Sequence, residues 1–159
     1  MDGYLKNERK ANGNMLLAAN YAGRAINITT TTAPHAMSYK LTSMFHIPHG
    51  HAVAICLPDV WDYMNNHLAN CVDSRGSQYL QKTFIEIANS LGRETVASAI
   101  ESFMDMLEKL GIPKLQSCGS GIAKELASSV NTERLHNNPV FIDNLALMGL
   151  YQNITSGLL

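Results

Sequence analysis

The stretch from Ala33 to Pro58 constrains this chain most, because it holds four of the six histidines. His35 follows Pro34, and His49 follows Pro48. Proline is favoured in the first turn of a helix, where its missing N–H would be unpaired anyway. Each Pro-His pair therefore predicts the start of a helix. Two imidazoles at two helix starts can be aimed at one point, as a metal site or a polar-ligand site requires.

The distances along the chain allow the two rings to meet. A helix from His35 to Met44 is about 15 Å long, and an extended loop from Phe45 to Pro48 spans about 13–14 Å. The chain can therefore double back and bring His49 close to His35, provided that the loop is tight. Spacing alone leaves a second interpretation open, in which the two histidines are partly buried and hydrogen-bonded to the backbone.

Composition excludes several classes of protein. Hydrophobic residues make up 46% of the 159 residues and charged residues 16%, which argues against disorder. A net charge of −1 without blocks of like charge argues against nucleic acid or an anionic membrane as a partner. No run approaches the roughly 20 apolar residues that span a bilayer.

Cysteine usage and the N-terminus predict a cytoplasmic location. Cys56, Cys71 and Cys118 are odd in number and widely spaced, without a C-x-x-C pair. They are interpreted as reduced thiols, with no disulfide framework and no cysteine-type zinc site. The first ten residues contain no apolar signal core.

Apolar periodicity predicts an all-α fold, a single bundle of seven or eight helices over residues 1–159. Pro58 is expected to kink or end the helix that begins at His49. A strand over Ala52–Leu57 is conceivable in isolation, but the sequence offers no comparable partner strand. The predicted helices cover Glu8–Ile28, Pro34–Met44, His49–Leu57, Asp59–Leu68, Gln78–Leu91, Glu94–Leu110, Gly119–Val130 and a tail within Pro139–Ser156.

Two segments resemble the iron-containing (group III) alcohol dehydrogenases. They read A-G-R-A-I-N-I-T-T-T-T-A-P-H-A at 22–36 and I-P-H-G-H-A-V-A-I-C-L-P-D-V at 47–60. In that family an A-G-x-A-type helix end precedes a first histidine, and a second histidine follows 14 positions later in a P-H-G motif. The segment V-N-T-E-R-L-H-N-N-P-V at 130–140 resembles the family's C-terminal asparagine-proline segment, in the form of its phosphonoacetaldehyde reductase branch.

The resemblance implies a function. Members are two-domain, NAD(P)H-dependent oxidoreductases that interconvert small alcohols and aldehydes. An N-terminal α/β domain binds the nucleotide, and a helical C-terminal domain holds Fe²⁺ or Zn²⁺, which polarises the alcohol or carbonyl oxygen. By this resemblance, His35 and His49 are metal ligands.

The chain departs from the family pattern in two ways. Where the family has a second histidine four residues after the first, this chain has Tyr39, whose phenol is a candidate to hydrogen-bond substrate or relay a proton. The adjacent Lys40 is a candidate for an anionic substrate group, with a solvated surface position as the alternative. The sequence also has no nucleotide-binding glycine loop and no upstream helix with an Asp and a His four residues apart.

From these absences we expect a fragment that lacks the nucleotide-binding domain and is inactive by itself. Exposed apolar helix faces would then allow a homo-oligomer. The alternative, from a different class of function, is a stand-alone helical interaction module with vestigial histidines. An upstream coding segment with a nucleotide loop would argue against this alternative. A third possibility is a metal-dependent hydrolase that uses the same histidines, but the sequence shows no carboxylate partner motif such as H-E-x-x-H.

The other histidines are expected to lie away from the site. His46 and His51 flank His49 but should point elsewhere, with a substrate-side position of His46 as the alternative. His67 and His136 are interpreted as surface residues.

Overall fold

A computed structural model describes residues 2–112, 115 and 121–156, and confirms the all-α fold class for them. The chain divides into two compact units, residues 1–31 and residues 32–159. Within the described residues, the α-helices are α1 Asp2–Leu5, α2 Arg9–Ile26, α3 Ala33–Phe45, α4 His49–Asn66, α5 Ser77–Ser90, α6 Val96–Lys109, α7 Ile122–Ser128, α8 Thr132–Leu135 and α9 Asn144–Thr155, with a 3-10 turn at Leu68–Asn70.

The helix count differs from the prediction for two reasons. The one-turn helices α1 and α8 are too short to show apolar periodicity, so the pattern did not predict them. Conversely, the two pieces predicted on either side of Pro58 are one continuous helix, α4. The predicted start of the seventh helix at Gly119 lies outside the described residues.

Pro58 lies inside α4 without ending it. Proline removes one backbone hydrogen bond and crowds the preceding turn, which costs about 3 kcal/mol in an exposed helix. Here burial on both sides of Pro58 offsets that cost, since Ile55 and Cys56 before it and Val60 and Trp61 after it belong to one core.

The first unit consists of α1 and α2. No residue of α2 is buried, and its apolar side chains, such as Leu16 and Tyr21, are exposed. Local hydrogen bonds hold the connection between the two helices, from the Glu8 N–H to the Gly3 carbonyl oxygen at 2.8 Å and from Asn12 Nδ2 to Asn7 Oδ1 at 2.6 Å.

The core of the second unit is built around α4, which packs against α3, α6 and α9. Both predicted histidines lie at the starts of α3 and α4. The largest fully buried side chains include Met37 and Leu41 of α3, Ile55 and Val60 of α4, Leu126 of α7, and Leu147, Tyr151 and Ile154 of α9.

The tail helix begins later than the earliest predicted position. The segment that follows Pro139 is extended, and Val140 forms an isolated antiparallel bridge with Cys71. Helix α9 starts only after Asp143, whose carboxylate accepts a hydrogen bond from the Ala146 N–H at 2.8 Å. An N-cap of this kind sets a helix start that apolar spacing cannot locate.

Two further observations concern the predictions about membrane spans and cysteines. None of the helices in the described part is long and apolar enough to cross a bilayer. Among the described cysteines, Cys56 and Cys71 are both free thiols, and burial raises the pKa of the Cys56 thiol far above its usual range, with Asp59 as a smaller cause. Cys118 lies outside the described residues.

Candidate metal centre

The starts of α3 and α4 bring His35 and His49 together. The connection between the two helices is only three residues long, His46 to Pro48. His46 turns the chain in the left-handed conformation, at φ 54° and ψ 29°, in which a few residue types including histidine are enriched. Pro34 lies in the first turn of α3, and Pro48 caps α4. The centres of the His35 and His49 rings are 5.4 Å apart, at an interplanar angle of 57°.

This separation suits two ligands of one ion. Imidazole nitrogens bind zinc at about 2.0–2.1 Å, and two imidazoles at a roughly tetrahedral angle have their ring centres about 5 Å apart. Within the described ranges there is no group of three or more His, Cys, Asp or Glu side chains with metal-binding geometry. These residues therefore fit as a pair of ligands rather than as a complete set.

The environment of His35 favours a neutral imidazole. Partial burial lowers its pKa, because the charged ring loses hydration, and the neighbouring His49 lowers it further through charge repulsion. Neutral imidazole is the form that binds a metal ion. His49, by contrast, lies at the exposed first position of α4.

Ser38 lies between the two histidines and was missed in the sequence. Its side chain is completely buried, at 0% exposure. The hydroxyl oxygen is 2.8 Å from the His35 carbonyl oxygen and 3.2 Å from Nδ1 of His49. Serine often bonds to its own helix in this way, so the sequence alone gave no reason to single it out.

Tyr39 lies beside His49, with ring centres 5.4 Å apart. Tyr39 is 47% exposed, and the guanidinium carbon of Arg134 lies 4.6 Å from the centre of its ring. Arg134 also donates a hydrogen bond to the Tyr39 hydroxyl oxygen. Because the hydroxyl oxygen is the acceptor in this bond, the bond does not use the proton of the phenol. The predicted role of Tyr39 toward substrate stays a prediction.

Arg134 is the second residue that sequence reasoning missed. It lies 95 positions from Tyr39, on the one-turn helix α8. The segment 130–140 was singled out for its Asn-Pro pair, but no local pattern connects it with α3. Lys40, the candidate for an anionic substrate group, pairs with Glu125 at 3.3 Å on a half-exposed surface. Such a pair contributes little stability.

The remaining histidines lie elsewhere. His46 is exposed at the end of α3, and His51 is half-buried. His67 is exposed, stacks on Tyr63 with ring centres 4.1 Å apart, and has its Nδ1 2.8 Å from the Tyr63 carbonyl oxygen. His136 is exposed and lines a cavity of about 590 Å³, together with Val72 and parts of residues 132–144. None of the predicted site residues lines this cavity.

Known proteins match this chain over most of its length. The sequence profile "Fe-containing alcohol dehydrogenase family, C-terminal" matches residues 4–147. The phosphonoacetaldehyde reductase of Streptomyces viridochromogenes is 30% identical over 135 residues, which are 82% of this chain and 33% of that protein. An alcohol dehydrogenase of Thermococcus barophilus is 30% identical over 138 residues, 86% of this chain and 33% of that protein.

A third relative, the bifunctional aldehyde-alcohol dehydrogenase of Escherichia coli, is 36% identical over 109 residues, 61% of this chain and 12% of that protein. The chain thus spans about a third or less of the length of these curated relatives. Because the family profile covers nearly the whole chain, the protein belongs to the Fe-containing alcohol dehydrogenase family and corresponds to its C-terminal region.

Proposed function

We propose that this chain is the metal-binding C-terminal domain of an NAD(P)-dependent alcohol dehydrogenase or aldehyde reductase, with His35 and His49 as two ligands of a divalent ion, Fe²⁺ or Zn²⁺. The observation that carries the proposal is the 5.4 Å separation of the two rings at the starts of α3 and α4. Both helices are anchored in one core, which supports a fixed geometry for the pair.

The bound ion would polarise the oxygen of a small alcohol or aldehyde while hydride passes to or from the nicotinamide. The chain's own residues hold and shape the site. His35 offers a neutral imidazole from a partly buried position, and the ring of His49 lies at the exposed edge of the site. Tyr39, held by Arg134 beside His49, is placed to donate its phenolic proton to a polar group of the substrate.

The relatives' names support this substrate class. They describe enzymes that act on alcohols and aldehydes, and one of them acts on phosphonoacetaldehyde. The remaining coordination positions of the ion would be filled by groups other than the described His, Cys, Asp and Glu side chains of this chain. The nucleotide would bind outside the helical bundle.

Metal titration of the 159-residue chain tests the proposal. Zn(II) and, without oxygen, Fe(II) are titrated calorimetrically into the wild type and into the His35→Ala/His49→Ala double variant. The matched control is His67→Ala/His136→Ala, which removes two imidazoles outside the site. We expect the wild type and the control to bind one ion and the first variant to lose this binding. Equal binding by all three proteins would contradict the proposal and favour an interaction module with vestigial histidines.

The isolated chain is expected to be inactive. Two imidazoles leave the coordination of a divalent ion incomplete, so the geometry needed for catalysis is not held. A spectrophotometric assay with NADH or NADPH and a range of aldehydes should show no oxidation of the cofactor above the blank. Turnover that depends on His35 and His49 would overturn this expectation.

A further inference from the structure

Ser38 can donate only one proton, and its surroundings decide where that proton goes. Its hydroxyl oxygen is 2.8 Å from the His35 carbonyl oxygen, which can only accept a hydrogen bond. Without a proton between them, two oxygen atoms at this distance would repel each other. The hydroxyl therefore donates to the carbonyl.

The second contact of Ser38 then fixes the proton on His49. The same hydroxyl oxygen is 3.2 Å from Nδ1 of His49. Because the hydroxyl proton is already used, the Ser38 oxygen can only accept here, and Nδ1 must carry the hydrogen. In a neutral imidazole only one nitrogen is protonated, so Nε2 keeps its lone pair.

We infer that Ser38 is a positioning residue that holds His49 in the Nδ1–H tautomer, with Nε2 open to a metal ion. The inference rests on the proposed metal function for its purpose, but the tautomer itself is a property of the metal-free chain. His49 lies at an exposed helix start, whereas Ser38 is completely buried within α3. The hydrogen bond therefore ties a ring with few packing restraints to a rigid element.

This arrangement prepares one half of the ligand pair before the ion arrives. A histidine ligand usually donates its second ring N–H to a fixed acceptor, and the removal of such an acceptor typically lowers metal affinity 10–100-fold. Ser38 also holds the two ligands in relation to each other, because the same oxygen contacts the backbone of His35 and the ring of His49.

Ser43 provides a matched control on the same helix. Its hydroxyl donates to the Lys40 carbonyl oxygen at 3.1 Å, which is the same three-residue back-bond that Ser38 makes. Ser43 is exposed, and its only described side-chain bond is this one. Ser43→Ala therefore removes the helix bond alone, whereas Ser38→Ala removes both the helix bond and the contact with His49.

The test measures the tautomer and the metal affinity separately. Long-range ¹H–¹⁵N NMR at about pH 8, where imidazoles are neutral, reports which nitrogen of His49 is protonated in the metal-free wild type, Ser38→Ala and Ser43→Ala proteins. We expect the Nδ1–H tautomer in the wild type and in Ser43→Ala, and a shift toward Nε2–H in Ser38→Ala. Zinc affinity should fall about 10–100-fold in Ser38→Ala only.

The two readouts separate this inference from the proposed function. A wild type with Nε2–H on His49, or a Ser38→Ala protein with an unchanged tautomer, would overturn the role of Ser38. The expected tautomers together with a wild type that binds no zinc would support the hydrogen-bond assignment and overturn the metal function instead.

Discussion

Helices α2 and α4 have the same length of 18 residues, but they differ in how much of their surface is covered. No residue of α2 is buried, whereas α4 buries seven. Both helices contain residues that disfavour helix, among them Gly23 in α2 and Pro58 in α4. The comparison shows that local pattern is enough to form either helix, whereas α4, unlike α2, also has a buried face that anchors it in a core. His49 is the first residue of α4, so its backbone is attached to a helix that is anchored in the core.

Truncation of a core residue in α4 should have the largest effect. Ile55 is 1% exposed, and Ile55→Ala should cost about 2–5 kcal/mol through lost burial and the cavity that remains. The matched control is Leu16→Ala in α2, where the side chain is 74% exposed and the change should stay within about 0.5 kcal/mol. Both values are measured by urea unfolding. Equal costs for the two variants would contradict the distinction between the helices.

Loss of the side chain that holds the start of α3 should have the second largest effect on the free energy of unfolding. Asn138 is buried and accepts a hydrogen bond from the Ala33 N–H at 3.3 Å, while its own amide donates to the Val140 carbonyl oxygen at 2.6 Å. Asn138→Ala leaves these backbone groups unpaired and should cost about 1–3 kcal/mol. The exposed Asn153→Ala is the control in the same urea experiment. A loss no greater than the control's would show that Asn138 does not anchor α3.

A smaller and pH-dependent effect is expected at Tyr151. Its hydroxyl donates to the Met37 carbonyl oxygen at 2.8 Å, so Tyr151→Phe should cost about 0.5–1.5 kcal/mol at neutral pH. Burial raises the pKa of the Tyr151 phenol, with the Cys56 thiol as a smaller cause. The unfolded chain therefore loses this proton first, and the contribution to stability is present below about pH 10 and lost as the pH rises.

Urea unfolding between neutral and alkaline pH measures this effect. The wild type should lose stability more steeply above about pH 10 than Tyr151→Phe does, because the variant lacks the titrating phenol. The Cys56 thiol stays in both proteins, so only its interaction with the Tyr151 phenol differs between them. Parallel pH profiles would contradict the assignment.

The smallest effect on the free energy of unfolding is expected in α2, and it should be a gain of stability. A methyl group added at Gly23 would meet no heavy atom within 4 Å. Gly23→Ala should therefore stabilise the helix by up to about 1 kcal/mol through its higher helix propensity. Far-UV circular dichroism and urea unfolding check this prediction. A loss of helix or of stability would mean that the Gly23 position is covered in solution.

The sequence predicted much of the fold because the main helices have local causes. Helices α5 and α6 follow clear apolar spacing and end before Gly92 and Gly111, both of which adopt positive φ. The sequence did not decide whether Pro58 ends the helix, because its tolerance there depends on the core around it, which no local pattern reports.

The candidate site was predictable only in part. The Pro-His pairs located His35 and His49 at helix starts, since that preference is local. Ser38 and Arg134 were missed because their contacts with His49 and Tyr39 form only after the chain folds. A serine on a helix and an arginine 95 residues away carry no periodic signal that would connect them with the site.

The central claim is that α3 and α4 place His35 and His49 on one ion. A double-mutant cycle of zinc affinity tests this claim most directly. Affinities are measured for the wild type, His35→Ala, His49→Ala and the double variant. If both rings bind one ion, each single substitution should lower the affinity roughly tenfold or more, and the two losses should be strongly non-additive. Wild-type affinity in either single variant, or two losses that simply add, would contradict a shared site.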